Sequence, residues 1–333
     1  MPWRTAWEHA LYGPTGFYRR PEGPAGHFRT SVHASPLFAR AIVTLLSRVD
    51  DALGRPDLLD LVDVGSGRGE LLTAVAAELP PSLAARVRLT GVDVVPRPDG
   101  LPASIGWTGA PPPGTVGLLL AHEWLDDVPC EVAEVAPDGT VRQVLVDPDD
   151  GTERLGEPVT GPAAAWLDRW WPLTEPGTRA EIGTARDAAW ADAAATVRRG
   201  VALAVDYGHT AAARPVFGSL AGFARGAEVD PVPDGTRNVT AHVAMDAVAA
   251  AIPSTGDAPV LCDQRTALHA LGVHGTRPDR ALASADPAEY LRRLVAAGEG
   301  AELTDRTGLG AFHWLLQPVG VPATGLLSPD GRR

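Results

Sequence analysis

Residues 58–69 read Leu58-Leu59-Asp60-Leu61-Val62-Asp63-Val64-Gly65-Ser66-Gly67-Arg68-Gly69. The first seven form a short apolar run that predicts a buried strand, and the glycines that follow predict a tight turn. Residues 70–79 have a helical pattern, which Pro80 and Pro81 end. The order of strand, glycine-rich turn and helix is typical of a doubly wound α/β sheet.

The rest of the chain repeats this alternation. Further strands are predicted at 87–94, 103–107, 115–121, 201–208 and 312–316, and helices at 35–52, 243–252, 266–271 and 287–297. Alternating strands and helices imply parallel strands joined by right-handed crossovers, so that a ligand crevice forms at the carboxyl ends of the strands. We therefore expect an α/β fold with a Rossmann-like doubly wound sheet, helical insertions and an N-terminal cap.

Two features interrupt the predicted sheet. Residues 131–135 and 141–146 flank Pro137-Asp138-Gly139, which favours a hairpin. Residues 161–199 have a helical pattern with clustered tryptophans, which predicts a helical insertion that covers the site. The expected organisation is a cap and helix at 1–55, a Rossmann-like core at 56–150, a helical lid or substrate region at 151–199, the remainder of the sheet at 200–322, and a loose tail at 323–333.

Composition narrows the classes of protein. The 333 residues are 45% apolar and carry a net charge of −12, which disfavours a general nucleic-acid binder because phosphate contacts need a basic surface. Residues 1–8 lack the apolar run of a secretion signal, and no apolar run approaches the roughly 20 residues of a membrane span. We expect a cytoplasmic protein without membrane insertion. Cys130 and Cys262 lie far apart without metal-ligand spacing, so neither a disulfide nor a metal is expected.

The glycine turn suits one class of cofactor better than another. Where a dinucleotide fingerprint would place its third glycine, this chain has Glu70, whose carboxylate disfavours a pyrophosphate and hence a nicotinamide-dependent dehydrogenase. S-adenosylmethionine (SAM) has no phosphate and fits a turn of this kind. Asp93 is predicted to accept the ribose hydroxyls, or to cap the next turn. Asp63 is predicted to contact the amino group of the ligand, or to bond the backbone of the loop.

These arguments give a set of residues expected to bind SAM. They are Asp63, Gly65, Ser66, Gly67, Gly69, Asp93 and Val94.

An acidic segment follows the strand at 115–121. His122, Glu123, Asp126 and Asp127 stand at its carboxyl end, where such sheets place substrates. Carboxylates could grip a guanidinium bidentately and orient one nitrogen toward a methyl group, or His122 could act as a general base on a hydroxyl. The excess of acids favours the first chemistry, with Glu123, Asp126 and His122 as the catalytic candidates and Asp127 as a possible helix cap.

Several stretches together resemble the MidA (mitochondrial dysfunction protein A) family of SAM-dependent methyltransferases. The resemblance is carried by 10–14 with 16–18, 26–30, 35–38, 64–69, 121–129, 205–208 and 240–243, which read ALYGP with GFY, GHFRT, SPLF, VGSGRG, AHEWLDDVP, VDYG and TAHV. It implies methylation of an arginine on a subunit of respiratory complex I, and so a protein partner. It further implies an N-terminal segment that folds over the SAM pocket, with Thr30, Ser35 and Phe38 near the ligand.

Two positions depart from the family pattern. His27 stands where the family usually has aspartate, and His122 where it usually has asparagine. SAM binding should survive both changes, whereas the substrate could differ. Two alternatives therefore stay open: a non-catalytic assembly factor on the same fold, and a methyltransferase that acts on a small molecule of specialised metabolism. The sequence does not decide the oligomeric state.

Overall fold

The computed structural model describes residues 1–20, 31–252 and 257–327. Within these ranges the helices are α1 (Trp3–Tyr12), α2 (Ser31–Ala34), α3 (Pro36–Leu53), α4 (Glu70–Glu78), α5 (Pro81–Ala84), α6 (Gly161–Trp170), α7 (Thr184–Ala194), α8 (Met245–Ala250), α9 (Gln264–Ala270), α10 (Arg280–Ala285) and α11 (Pro287–Leu303).

The strands of the same ranges are β1 (Leu59–Val64), β2 (Val87–Val92), β3 (Ile105–Thr108), β4 (Thr115–His122), β5 (Glu131–Val135), β6 (Val141–Val146), β7 (Glu153–Pro158), β8 (Arg179–Ile182), β9 (Val197–Asp206), β10 (Gly208–His209), β11 (Ala221–Ala224), β12 (Ala227–Val229), β13 (Asn238–Thr240), β14 (Val243–Ala244), β15 (Val260–Asp263) and β16 (His313–Val319).

The chain forms two compact units, each assembled from separate stretches of sequence. The first, which we call the sheet unit, comprises residues 31–122, 196–205 and 257–327 of the described chain. The second, which we call the acidic unit, comprises residues 1–20, 123–195 and 206–252. In the described part of the chain, no helix is long and apolar enough to cross a bilayer.

The sheet unit is built on seven strands in the order β15-β16-β9-β4-β1-β2-β3. Strand β1 pairs in parallel with β2 and with β4, β2 pairs in parallel with β3, and β4 with β9. Strand β15 is antiparallel to β16. The central strands are parallel and buried because helices cover the sheet, and the predicted α/β fold class is confirmed.

Helix α3 shows how local sequence sets the boundaries of this unit. Ser35 caps its N-terminus, since its Oγ accepts the backbone N–H of Leu37 at 3.0 Å, and Pro36 occupies the first helical position. Gly54 ends the helix in the left-handed conformation. The apolar residues of the predicted stripe are buried in the core of the unit; they are Phe38, Ile42, Leu45, Leu46 and Val49.

The acidic unit is mainly antiparallel. Its largest sheet has the order β7-β6-β5-β8, and the predicted hairpin of β5 and β6 is confirmed. Helix α1 packs Trp3, Trp7 and Leu11 into the core of this unit. Residues 1–20 therefore belong to this unit, as part of its core.

The prediction of helix throughout 161–199 was wrong in its middle part. Residues 179–182 form β8, which pairs antiparallel with β5, and β9 already begins at Val197. The alanine-rich surroundings favour helix, but the tertiary pairing with β5 decides the conformation of this short segment. Whether 151–199 serves as a lid stays a prediction.

Candidate active site

The turn after β1 is built from glycines in the left-handed conformation. The φ angle is +73° at Gly65, +57° at Gly67 and +77° at Gly69, which side chains rarely tolerate and glycine adopts freely. The backbone N–H of Gly65 donates to the carbonyl of Val92 at 2.9 Å, which ties the turn to the end of β2. A Cβ on Gly67 would meet only Glu70 Oε2, at 3.5 Å. At this position the described backbone is open to a ligand.

Glu70 lies in the first turn of α4. Its Oε2 accepts the backbone N–H of Arg68 at 2.9 Å, and its Oε1 lies 3.9 Å from Nε2 of His33. A phosphate at a helix N-terminus would need backbone N–H groups of this kind. The carboxylate takes one of them and repels an anion, so the structure supports the sequence argument against a pyrophosphate ligand.

Asp93 follows β2 and is half-buried. Its Oδ2 accepts the backbone N–H of Gly67 at 2.9 Å, and its Oδ1 accepts the backbone N–H of Val95 at 3.0 Å. Burial raises its pKa, while these backbone hydrogen bonds oppose the rise. Each carboxylate oxygen keeps a second lone pair, so Asp93 caps the turn and still has the capacity to bind ribose hydroxyls. The neighbouring Val94 side chain is 63% exposed and provides apolar surface beside the carboxylate.

Asp63 is buried at the end of β1. Its Oδ2 accepts a 2.7 Å hydrogen bond from Oγ of Ser66, inside the turn. Burial raises the pKa of Asp63 to about 7; the Ser66 hydrogen bond opposes this, and the charges of Asp93 and Glu70 add to it. Asp63 therefore bonds the loop through the Ser66 hydroxyl, whereas the sequence prediction was a bond to the loop backbone. A contact with the amino group of a ligand stays a prediction.

Ser35 and Phe38 have structural partners of their own. Besides capping α3, Ser35 Oγ donates to Oε2 of Glu299 at 2.7 Å. The Phe38 ring is fully buried and packs against Trp314, with ring centroids 6.1 Å apart. Their contact with a ligand, inferred from the family resemblance, is untested. Thr30 and His27 lie outside the described residues.

His122 ends β4 and is packed in the core of the sheet unit. Its ring centroid lies 4.8 Å from that of Phe38. Burial, together with the charge of His33, lowers the pKa of His122 to about 3. A histidine with so low a pKa is a weak base near neutral pH, which disfavours the general-base chemistry considered for His122. A catalytic role of His122 stays a prediction.

In the acidic unit, the carboxylate of Asp206 bonds the backbone of the acidic segment that follows β4. Its Oδ2 accepts the backbone N–H groups of Leu125, at 2.9 Å, and of Asp126, at 3.3 Å. Glu123 precedes these residues with φ at +49°, a conformation that non-glycine residues rarely adopt. A buried carboxylate thus fixes the segment that carries the predicted catalytic acids.

Asp126 is bound by two hydroxyl groups. Its Oδ2 accepts hydrogen bonds from Oγ1 of Thr240, at 2.8 Å, and from the hydroxyl of Tyr207, which also contacts Thr240. Among the described residues, the buried Oδ1 of Asp126 has no hydrogen-bond partner. One oxygen of this carboxylate is held in place, and the other is left for a further donor.

Both carboxylate oxygens of Asp127 accept hydrogen bonds. Its Oδ1 accepts from Nδ2 of Asn238 at 3.2 Å, and its Oδ2 accepts from the hydroxyl of Tyr18. The Tyr12 hydroxyl donates to the backbone carbonyl of Asp127 at 3.1 Å, and the Tyr12 and Tyr18 rings stack. The helix cap predicted for Asp127 was wrong, because no helix begins between β4 and β5 in the described chain. The Asp127 carboxylate instead bonds side chains that lie far away in the sequence.

Arg186 is the buried cation of this cluster. Its side chain is enclosed by the acidic unit and donates to three backbone carbonyls: Asp126 at 2.6 Å, His242 at 2.9 Å and Val128 at 3.1 Å. The guanidinium therefore bonds the backbone of the acidic segment, while the carboxylates feel its charge at longer range.

Comparison with known proteins places this geometry in a family. Residues 37–259 match a family model described as "Putative S-adenosyl-L-methionine-dependent methyltransferase". The chain belongs to this family. The methyltransferase is an enzyme whose cofactor is SAM, and the residues of the turn fit that molecule: open glycine backbone, a carboxylate beside exposed apolar surface, and no free phosphate-binding N–H at Arg68.

Solved structures share the fold of the methyltransferase. A COG1565 superfamily member from Burkholderia thailandensis, bound to S-adenosyl-homocysteine, aligns over 99% of this chain and 90% of its own, with a TM-score of 0.80 and 24% identity. A native structure of a protein of the same superfamily and organism aligns over 99% of this chain and 89% of its own, with a TM-score of 0.77 and 24% identity. A search of curated protein sequences returned no match.

The acidic unit of the methyltransferase holds more buried carboxyl groups than buried cationic groups. Burial raises the pKa of Asp126, Asp127 and Asp206, and neighbouring carboxylates raise the last two further. Arg186 opposes these shifts but bonds only backbone carbonyls. Among the described residues, Oδ1 of Asp206, like Oδ1 of Asp126, is buried without a hydrogen-bond partner. Such a cluster favours a proton or a cationic ligand.

Several residues of this cluster were not predicted as site residues from the sequence. Tyr18, Thr240 and Asn238 bond the acids but lie more than a hundred positions away in sequence. The available signal was the family resemblance, whose quoted stretches include Tyr18 and Thr240. Arg186 and Asn238 carried no such signal.

Proposed function

We propose that this methyltransferase transfers the methyl group to an arginine side chain of a protein. Three buried carboxylate oxygens lack a hydrogen-bond partner in the described chain: Oδ1 of Asp126, Asp187 and Asp206. The observation that supports the proposal is that two of them, those of Asp126 and Asp206, belong to neighbouring carboxyl groups of the acidic cluster. A buried carboxylate oxygen without a donor is unfavourable unless a proton or a cationic donor completes it.

The chemistry of the cluster selects among cationic groups. A guanidinium offers up to five N–H donors in a planar fork, which matches carboxylates bidentately, whereas an ammonium is a point charge. Tyr207 and Thr240 hold the Asp126 carboxylate by its other oxygen, so its free oxygen has a fixed direction. A held carboxylate suits the orientation of a planar ligand, which favours arginine over lysine.

The same carboxylates can accept the proton that methyl transfer releases. SAM, when bound, supplies an electrophilic methyl group on a sulfonium. Transfer forms a bond from the guanidinium nitrogen to that carbon, breaks the sulfur–carbon bond, and releases one proton from the nitrogen. Burial raises the pKa of Asp126, which makes this carboxylate a better proton acceptor than an exposed aspartate. Asp126 is therefore assigned to orient the nitrogen and to accept its proton.

Asp206 and Glu123 have supporting parts in this proposal. Asp206 is a positioning residue, because it fixes the backbone of Leu125 and Asp126. Glu123 directly follows β4 in the chain and belongs to the same acidic segment as Asp126. We assign Glu123 to the guanidinium as a second carboxylate.

The resemblance to the MidA family extends the proposal to its protein substrate. It suggests a subunit of respiratory complex I, in whose assembly the methylation would take part. Tyr12, Tyr18 and Tyr207 belong to the resembling stretches and contact the acidic segment. The resemblance thus includes residues that build the cluster, beyond those of the glycine turn.

The experiment is methyl transfer from tritiated SAM into a cell lysate, followed by acid hydrolysis and separation of the labelled amino acids. We expect label in methylarginine from a discrete protein band. Asp126→Asn should reduce the rate by about a hundredfold, within the range for loss of a positioned acid–base group, while SAM affinity is retained. Asp187→Asn is the matched control. Asp187 is a carboxylate of the same unit that also has one buried oxygen without a described partner, but its other oxygen bonds Trp166 Nε1 and it does not belong to the cluster of Asp126 and Asp206.

Other outcomes would decide against the proposal. Label confined to small molecules would indicate a metabolite as acceptor. SAM binding without any transferable label would support the assembly-factor alternative. Label in lysine or histidine would contradict the guanidinium argument while leaving the methyltransferase assignment intact.

A further inference from the structure

A cavity of about 720 Å³ lies in the sheet unit, away from the glycine turn in sequence, and the function proposed above does not use it. Its volume falls within the range of small-molecule sites. It is formed by α9, the segment after α9, the end of α11 and the segment after α11. The lining includes Arg265, His269, His274, Thr304, Asp305 and Arg306.

Two guanidinium groups face this cavity. Nη1 of Arg265 donates to the carbonyl of Thr304 at 2.7 Å, which anchors one edge of the group and leaves its other nitrogens available. Arg306 is exposed, and its charge lowers the pKa of the nearby Asp263. Such a pair of guanidinium groups can grip a tetrahedral anion from two sides, because each presents several N–H donors in a plane.

Two histidines also line this cavity. The ring centroids of His269 and His274 are 5.1 Å apart. Burial lowers the pKa of His269, and the nearby charges of Arg265 and His274 lower it further. The Asp263 carboxylate acts in the opposite direction. The positive charge at the cavity therefore comes from Arg265 and Arg306, and the nearby carboxylates Asp263 and Asp305 oppose it.

Two carboxylates near the cavity each accept hydrogen bonds on one oxygen. Asp263 Oδ1 accepts the backbone N–H of Thr266 at 2.8 Å, where it caps α9. Asp305 Oδ1 accepts from the backbone N–H of Thr307, at 3.1 Å, and from its hydroxyl, at 3.0 Å. The charges of Arg265 and Arg306 lower the pKa of Asp263, and the charge of Arg265 lowers that of Asp305, so both carboxylates offset positive charge at the cavity. In the described chain their hydrogen bonds go to Thr266 and Thr307, which leaves guanidinium N–H donors for a ligand.

We propose that this cavity is a second ligand site, which binds the phosphate group of a small molecule. Arg265 and Arg306 would hold the phosphate oxygens, and His269 and His274 would donate from one side. SAM carries no phosphate, so the ligand is a molecule other than the methyl donor. The site is independent of the acidic unit and of the arginine proposal.

The test is calorimetric titration of the full chain with inorganic pyrophosphate, in the presence and absence of saturating SAM. We expect saturable binding of one pyrophosphate per chain. Arg306→Gln should weaken it by about tenfold or more, the effect of losing a charge-assisted contact. Because Arg306 is exposed, this substitution should leave the melting temperature and SAM affinity unchanged.

Arg292→Gln provides the matched control. Arg292 is an exposed arginine of the same unit, on α11, and it pairs with Glu289 outside the cavity. Its substitution removes the same charge and should leave pyrophosphate affinity unchanged. Absence of saturable heat with the wild-type protein would overturn the proposal. Equal loss of affinity in both variants would also overturn it, since that result indicates general charge attraction.

Discussion

The backbone N–H of Gly67 donates a 2.9 Å hydrogen bond to Oδ2 of Asp93, which joins the turn after β1 to the end of β2. The acid that the sequence assigns to the ribose is therefore also part of the scaffold of the turn. Its Oδ1 holds Val95 in the same way. Cofactor affinity and the shape of the turn should consequently respond together when this carboxylate is changed.

Asp93→Ala should weaken SAM binding by more than about tenfold, because it removes both the ligand acceptor and the acceptor for two backbone N–H groups. Asp93→Asn keeps one carbonyl oxygen and should show an intermediate loss. Calorimetry with SAM measures both. Asp99→Ala, at an exposed aspartate of the same segment, is the control; an equal loss there would show that the effect is one of general charge.

Gly69→Ala should destabilise the sheet unit. The φ of +77° costs an alanine about 1–2 kcal/mol, and its Cβ would lie 2.5 Å from Cδ1 of Leu101, so Leu101 must move. Gly139→Ala is the matched control, because Gly139 has φ at +83° and nothing within 4 Å of the added Cβ. Thermal unfolding should show the larger loss for Gly69→Ala, together with weaker SAM binding that Gly139→Ala does not share. Equal losses of thermal stability in the two variants would mean that the Leu101 side chain moves at little energetic cost.

Asp63 should make stability depend on pH. Its folded-state pKa of about 7 lies above the reference value of 3.8, so the folded state retains a proton that the unfolded chain loses first. Stability is therefore highest at low pH and falls as the pH rises to about 7, after which this contribution is constant. Relative to Asp63→Asn, the wild type should lose roughly 3 kcal/mol of unfolding free energy between about pH 5 and about pH 8.

Denaturant unfolding of both proteins across that range measures the difference. Asp126, Asp127 and Asp206 also have raised pKa values, but they are common to both proteins and cancel in the comparison. Parallel curves for the two proteins would show that Asp63 ionises normally.

Arg186→Lys should destabilise the acidic unit despite conserving charge. A compact ammonium cannot reach the three carbonyls that the planar guanidinium bonds, and a buried carbonyl left without a donor is costly. We expect a Tm lower by about 5 °C and slower methyl transfer. Arg169→Lys, at an exposed position of the same unit, should change the Tm little. A Tm for Arg186→Lys as high as that of the control would contradict the assigned role.

The sequence predicted the central sheet because its signals are local. Strands β1 and β4 are mainly apolar and are buried along almost their whole length. Glycines at alternate positions are required by the left-handed backbone between β1 and α4. These features act within a few residues, so pattern reasoning detects them. The match of the family model to residues 37–259 agrees with the cofactor inferred from this region.

The acidic cluster could be predicted only in part. Asp126 was visible as an acid after a buried strand, whereas its environment is made by Thr240 and Tyr207, and that of Asp127 by Tyr18 and Asn238. No spacing rule links positions so far apart in the chain. Strand β8 was missed for the same reason, since four residues in a helix-favouring stretch become a strand only through pairing with β5.

The most direct test of the central claim is a crystal structure of the protein with S-adenosylhomocysteine. We expect the nucleoside to lie against the backbone of Gly65, Gly67 and Gly69, with its ribose hydroxyls within hydrogen-bond distance of the Asp93 carboxylate. A complex with the nucleoside bound elsewhere, or with the ribose out of reach of Asp93, would contradict it.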